Sequence, residues 1–259
     1  MHYKFKINTT ETIALIEIKP FQLMLILSLM ASFILACQEP IENNEDTKIR
    51  YEKNQHKHHH SNEDPYSSAN THMHSSSVED LIERFESPER DAYQRPEKLM
   101  NYLGDIEGKY IMDIGAGSGY FSVKLAAAGA HVIAADVDET FQEYLQQRIK
   151  KEAIQNIELR QIPYDSPALY QNEVDMVMIV NTYHHIENRI DYFKKVKEGT
   201  KTEGELIIVD FFKTELPVGP PVDHKLSLDV VIAELKSAGY TNLDVNVTLL
   251  PYQYIVRAN

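Results

Sequence analysis

Residues 111–123, IMDIGAGSGYFSV, constrain the fold more than any other stretch. An apolar strand runs into a turn with glycine at 115, 117 and 119, and the turn opens a helix. Glycine lets backbone approach a ligand closely at the carboxyl end of a strand, which is where open α/β sheets bind nucleotides. The spacing is GxGxG, and Tyr120 stands where a dinucleotide fingerprint wants its third glycine. No GxxxxGKS or GxxxxGKT occurs, which excludes an ordinary P-loop nucleotidase. Asp136 lies 21 residues beyond Gly115, at the end of the next apolar strand. A carboxylate there can accept hydrogen bonds from both ribose hydroxyls, so the pair fits an adenosine-containing cofactor, S-adenosylmethionine as well as NAD.

The surrounding pattern alternates helices with apolar strands, which predicts a parallel sheet. Helices are expected at 78–86, 96–103, 120–128, 139–152, 189–197 and 227–238. In the fourth of these, Phe141, Leu145 and Ile149 share one face. Strands are expected at 110–114, 131–135, 157–162, 174–180, 205–209, 243–249 and 252–256. The run Val174–Val180 is almost unbroken in apolarity, as when both faces of a strand are covered. The last two strands are joined by only a couple of residues, which favours an antiparallel hairpin at the sheet edge. The expectation is a Rossmann-like, seven-stranded mixed sheet with helices on both faces.

The first 77 residues read differently. Lys4, Lys6 and Lys19 precede an apolar run, Leu23–Ala36, that ends just before Cys37. That is the layout of a secretory signal, and the run is too short to span a bilayer comfortably. Ile34-Leu35-Ala36-Cys37 is similar to a bacterial lipobox, in which the cysteine is lipidated and becomes the mature N-terminus. Residues 1–36 are therefore expected to be a signal, with Cys37 anchoring an exported protein to a membrane; without a genuine signal the chain stays in the cytoplasm. Residues 37–77 lack apolar periodicity and should form a disordered tether. His56, His58, His59, His60, His72 and His74 fall in it, and imidazoles beside the Met73 thioether suit loose copper or zinc binding. A net charge of −13 and an isoelectric point near 5.3 argue against a nucleic-acid partner. The single cysteine excludes a disulfide framework and any thiolate metal cluster.

Four segments together, DIGAGSGYF (113–121), AADVD (134–138), VDMVMIVNTYHHIEN (174–188) and GELIIVDFF (204–212), resemble the class I S-adenosylmethionine-dependent methyltransferases over roughly residues 90–259. YQRP (93–96), PVGPP (217–221) and PYQY (251–254) resemble a subgroup of exported or small stand-alone members. The resemblance implies that Asp113 and the turn Gly115, Ala116, Gly117, Gly119 flank the methionine moiety. It further implies that Asp136 holds the ribose and that Val137 packs on adenine. Many relatives place an acidic residue directly after the third strand; this chain has Pro163 and Tyr164 there, with Asp165 as the substitute.

Methyl transfer from a sulfonium is an in-line displacement that gains most from positioning, with a base where the nucleophile carries a proton. Candidates at the strand ends are Asn181, Tyr183, His184, His185 and Asp210. Adjacent histidines in a turn point different ways, so one of the two should face the cleft. Tyr93 and Gln94 can fold over the cofactor as a lid, and Asp223 and His224 follow a stiff proline-rich loop. No large insertion interrupts the sheet, so the acceptor should be small or reached at an open cleft. The alternative reading is a non-catalytic exported lipoprotein that binds a nucleoside-like ligand, or metal through its tether. An NAD-dependent oxidoreductase is disfavoured by the glycine spacing.

Overall fold

The computed structural model describes residues 3–9, 12–18 and 77–259, which fall in two separate units. The first is a strand pair: β1 (Tyr3–Thr9) runs antiparallel to β2 (Thr12–Ile18), with Tyr3 opposite Ile18 and Thr9 opposite Thr12. These residues were expected to be the positive lead-in of an export signal. Tyr3, Phe5 and Ile7 alternate with Lys4 and Lys6, the period of two that suits a strand. Leu23–Ala36, Cys37 and the six tether histidines lie outside the described residues. Among the described residues no helix is long and apolar enough to cross a membrane.

The second unit opens with three short helices, α1 (Val78–Phe85), α2 (Pro88–Gln94) and α3 (Pro96–Leu103). Helix α2 was not anticipated. Its start is nevertheless specified: Ser87 Oγ accepts the Arg90 N–H at 3.3 Å and Pro88 occupies the first turn, where its missing donor costs nothing. It ends at Arg95, which sits at φ 44 directly before Pro96 and so separates α2 from α3.

Then follow β3 (Tyr110–Ile114), α4 (Tyr120–Ala127), β4 (His131–Asp136), α5 (Glu139–Glu152), β5 (Ile157–Gln161) and β6 (Val174–Val180). The chain closes with α6 (Arg189–Gly199), β7 (Thr200–Phe211), α7 (Leu228–Ser237), β8 (Leu243–Asn246) and β9 (Gln253–Ala258). The sheet order is β5-β4-β3-β6-β7-β9-β8. Five strands are parallel; β9 runs antiparallel to β7 and β8 antiparallel to β9. This is the expected seven-stranded mixed sheet with its closing hairpin.

Alternation along the strands builds a core on each face. Ile111, Met178, Ile207 and Val209 face α3 and α4, whereas Met112, Val177, Ile179 and Ile208 face α6 and α7. All eight are fully buried, and truncating such a side chain to alanine costs about 2–5 kcal/mol. The same alternation puts Asp113 on the α4 face with Ile111, and Asp210 on the opposite face with Ile208. Those two placements decide what each carboxylate meets.

Candidate active site

Chain order reverses at β3, which has β4 on one side and β6 on the other, and a crevice opens there at the carboxyl ends of the strands. The glycine turn emerges into it. The N–H groups of Gly115 and Ala116 both donate to the Ala135 carbonyl, at 2.8 and 3.0 Å, so the turn stays tied to β4. Gly115 and Gly119 adopt φ +75 and +80. A Cβ at Gly115 would run into Thr182, and one at Gly119 into Leu145 of α5. Glycine is thus required twice at each position, by φ and by space.

Asp136 ends β4 and is buried. Its Oδ2 accepts the Gly117 N–H at 2.8 Å and its Oδ1 the Asp138 N–H at 3.1 Å, which fixes the carboxylate against the turn. Burial pushes this carboxyl up from its ordinary range, opposed by these two donors. Each oxygen keeps a lone pair for a ligand hydroxyl.

A cavity of about 370 Å³ lies over the turn, within the size range of small-ligand sites. Gly115, Ala116 and Gly117 form part of its wall, together with Asp136 and Val137 from β4. Tyr93, Asn181, His184 and His185 line it as well. Both adjacent histidines therefore face the cleft, where one was expected. The 3-10 turn Tyr183–His185 brings the two rings together, their centroids 4.3 Å apart.

Five of the residues singled out in the sequence, Gly119, Asp113, Asp165, Tyr183 and Asp223, are off the wall. Gly119 packs behind the turn against α5. Asp113 is buried under it and accepts the Ser122 hydroxyl of α4 at 2.6 Å; burial raises its carboxyl to about 6. Asp165 is exposed, its carbonyl taken by Lys195 Nζ at 2.8 Å, so Pro163 and Tyr164 line the cavity in its place. Tyr183 is fully buried among the α6 and α7 packing. Its hydroxyl donates to Glu234 Oε2 at 2.8 Å, and Arg189 pairs with both oxygens of the same carboxylate. That tyrosine belongs to a structural pair and not to the cleft. Asp223 is exposed and lies off the wall, whereas His224 lines it.

Three amides, Gln94 and Gln253 buried and Asn181 half-buried, close a ring beside the cavity. Gln94 Nε2 donates to Gln253 Oε1 at 3.0 Å, Gln253 Nε2 donates to Asn181 Oδ1, and Asn181 Nδ2 donates to Gln94 Oε1 at 3.2 Å. Asn181 sits at φ 59, a region asparagine tolerates, with its N–H on the Val209 carbonyl at 2.8 Å. The ring joins α2, the end of β6 and the start of β9.

Opposite the ring, His184 and Asp210 are both buried, and Nδ1 of the imidazole lies 2.9 Å from Asp210 Oδ2 and 3.0 Å from Oδ1. Asp210 Oδ1 also accepts the Phe211 N–H at 2.8 Å. A carboxylate oxygen accepts, so the geometry fits an Nδ1–H donating to Asp210, which in a neutral imidazole leaves the lone pair on Nε2.

Sequence reasoning missed Arg90. Its guanidinium carbon stands 4.0 Å from the Tyr120 ring centroid, Nη1 donates to the Phe85 carbonyl at 3.0 Å, and buried Nε has no hydrogen-bond partner among the described residues. Residues 90, 93 and 94 share one helical face, and that spacing was the available signal once α2 is recognised. Among the described residues no cluster of three or more His, Cys, Asp or Glu side chains could hold a metal ion.

Residues 111–204 match a family model described as a methyltransferase domain. A SAM-dependent methyltransferase from Aquifex aeolicus superposes with a TM-score of 0.66 at 26% identity, over 71% of this chain and 98% of that one. A ubiquinone biosynthesis O-methyltransferase of Acinetobacter baylyi is 28% identical over 114 residues, 44% of this chain and 46% of that protein. A tRNA U34 carboxymethyltransferase of Colwellia psychrerythraea is 27% identical over 113 residues, 43% of this chain and 35% of that one. The chain thus spans less than half the length of these curated relatives. Fold, family match and structural likeness together support a class I S-adenosylmethionine-dependent methyltransferase.

Proposed function

We propose that this chain transfers a methyl group from S-adenosylmethionine to a small acceptor held in the same cavity. The observation that carries the reading is the Gly117 N–H to Asp136 Oδ2 hydrogen bond at the β3–β6 switch point. It locks an acidic strand end against a glycine turn, the pairing a ribose and its adjoining chain require. When bound, the cofactor supplies an electrophilic methyl group on a sulfonium. Asp136 would accept the ribose hydroxyls, and Val137 and Ile162 would flank the adenine with apolar surface. Gly115, Ala116 and Gly117 would let backbone approach the methionine portion, with Arg84 and Arg90 supplying positive charge for its carboxylate. Asn181, held by Gln94 and Gln253, would form part of the wall by which donor and acceptor are held in line. The cavity of about 370 Å³ lies in the size range of small-molecule sites, which supports a small acceptor.

Thermal unfolding of the purified protein with S-adenosylmethionine, S-adenosylhomocysteine and NAD, each at the same concentration, checks this. The first two should raise Tm and NAD should leave it unchanged, because a ligand at 100 times its Kd stabilises by about 2.7 kcal/mol. Stabilisation by NAD alone would replace the methyltransferase reading with an oxidoreductase. The same reading includes export and anchorage through Cys37, whose replacement by alanine should move the protein out of the membrane fraction. Unchanged membrane fractionation of that variant would end the anchorage part of it.

A further inference from the structure

We propose that His184 is the base of the transfer and that the acceptor is a small aromatic hydroxyl compound. This rests on the methyl-transfer reading above. Among the described residues, Asp210 is the hydrogen-bond partner of the His184 ring, through Nδ1, the His185 ring packs 4.3 Å from it, and His184 lines the cavity. With Nδ1 turned to the carboxylate, Nε2 is the proton acceptor that the neutral ring has left. Asp210 is 1% exposed, so its charge is little screened and stabilises an imidazolium formed beside it.

The chemistry such a pair serves is specific. A phenolic hydroxyl titrates near 10, so most of it still carries its proton at neutral pH and must lose it as the new bond forms. In the step, the O–H proton passes to His184 Nε2 while the oxygen lone pair forms the O–CH₃ bond. The electrons of the breaking S–CH₃ bond stay on sulfur, giving S-adenosylhomocysteine. One positive charge disappears at sulfur and one appears on His184 next to Asp210, so net charge is unchanged. The proton then leaves to solvent.

The walls around the pair suit a flat ring. Phe211 follows Asp210 in the chain, and its ring lies 6.0 Å from that of Tyr93. A Cβ at Gly219 would come within 2.7 Å of the Phe211 ring, so this loop lies directly on it and brings Pro220 and Pro221 to the cavity.

The test uses the full chain, catechol as probe, methyl-labelled S-adenosylmethionine as donor, and calorimetry with S-adenosylhomocysteine as a readout apart from turnover. Wild type should methylate catechol. His184→Gln and His184→Ala should each lose at least about 100-fold in kcat while binding S-adenosylhomocysteine within about threefold of wild type. Imidazole in the buffer should restore part of the activity of His184→Ala. Asp210→Asn, at a positioning residue, should lower kcat at least about tenfold with KM for catechol within about threefold. In ¹⁵N NMR, the imidazole signal that vanishes in His184→Gln should be the Nδ1-protonated tautomer. Turnover of both His184 variants within threefold of wild type overturns the proposal. An Nε2-protonated ring overturns it too, as does a wild type that binds S-adenosylhomocysteine but leaves catechol unmethylated. A wild type that binds no S-adenosylhomocysteine removes the methyl-transfer reading itself, a separate outcome.

Discussion

Gln94 donates its side-chain N–H to the Gln253 carbonyl oxygen at 3.0 Å, across 159 residues of sequence and with both side chains buried. Asn181 closes the ring, so each amide uses one donor and one acceptor. Removing either glutamine leaves two polar groups without these partners, one on the other, buried glutamine and one on half-buried Asn181. Gln94→Ala and Gln253→Ala should each cost about 1–3 kcal/mol in urea unfolding, and the double variant should cost clearly less than the sum. Additive losses would mean that the ring does not act as a unit.

The glycine turn gives a contrast between strain and crowding. Gly108 has φ +72, and an alanine Cβ there would have nothing within 4 Å, so Gly108→Ala meets only backbone strain of about 1–2 kcal/mol. Gly115→Ala meets the same strain and the Thr182 side chain besides. It should destabilise more than Gly108→Ala and weaken cofactor binding. Adding Thr182→Ala should recover part of the stability loss, read by thermal unfolding of the three variants.

Asp113 makes stability depend on pH. Its carboxyl titrates near 6 in the folded protein, against 3.8 as its ordinary value, because burial penalises the charge. Between those values the folded state binds more protons than the unfolded state, so this group's contribution to stability falls as pH rises from about 4 to about 6. Asp113→Asn has no such dependence and can still accept the Ser122 hydroxyl. Relative to wild type, that variant should gain on going from pH 4 to pH 7, by up to about 3 kcal/mol for a shift of this size. Urea unfolding at the two pH values reads the difference, and a gap that does not widen counts against the assignment.

Tyr183 should matter for folding alone. Tyr183→Phe loses the hydrogen bond to Glu234 and leaves that carboxylate with Arg189. The expected cost is about 1–2 kcal/mol of stability with kcat unchanged. A large fall in kcat at full folding would return this tyrosine to the cleft.

What was legible in the sequence followed from short-range chemistry. The GxGxG turn, Asp136 and the apolar strands are local patterns whose spacing already dictates their neighbours, and they placed the sheet and its crevice. Tyr183 and Asp165 lie off the cavity wall, which short-range pattern could not show: the Tyr183 hydroxyl is turned to Glu234, 51 residues on, and Asp165 is exposed with its carbonyl on Lys195 of α6. Arg90 was hidden because α2 is only seven residues long, with no apolar periodicity to announce it. The PYQY and YQRP segments stood out as motifs, but only the fold shows that Gln253 and Gln94 meet. The strand pair at β1 and β2 was passed over because its lysines fitted an export signal.

Calorimetric titration of the full chain with S-adenosylhomocysteine, set beside the same titration of Asp136→Ala, tests the central claim most directly. Wild type should bind one molecule saturably, and the variant should bind at least about tenfold more weakly, the loss expected for hydrogen bonds to a charged group. No binding by wild type, or equal affinity in the variant, would contradict the account.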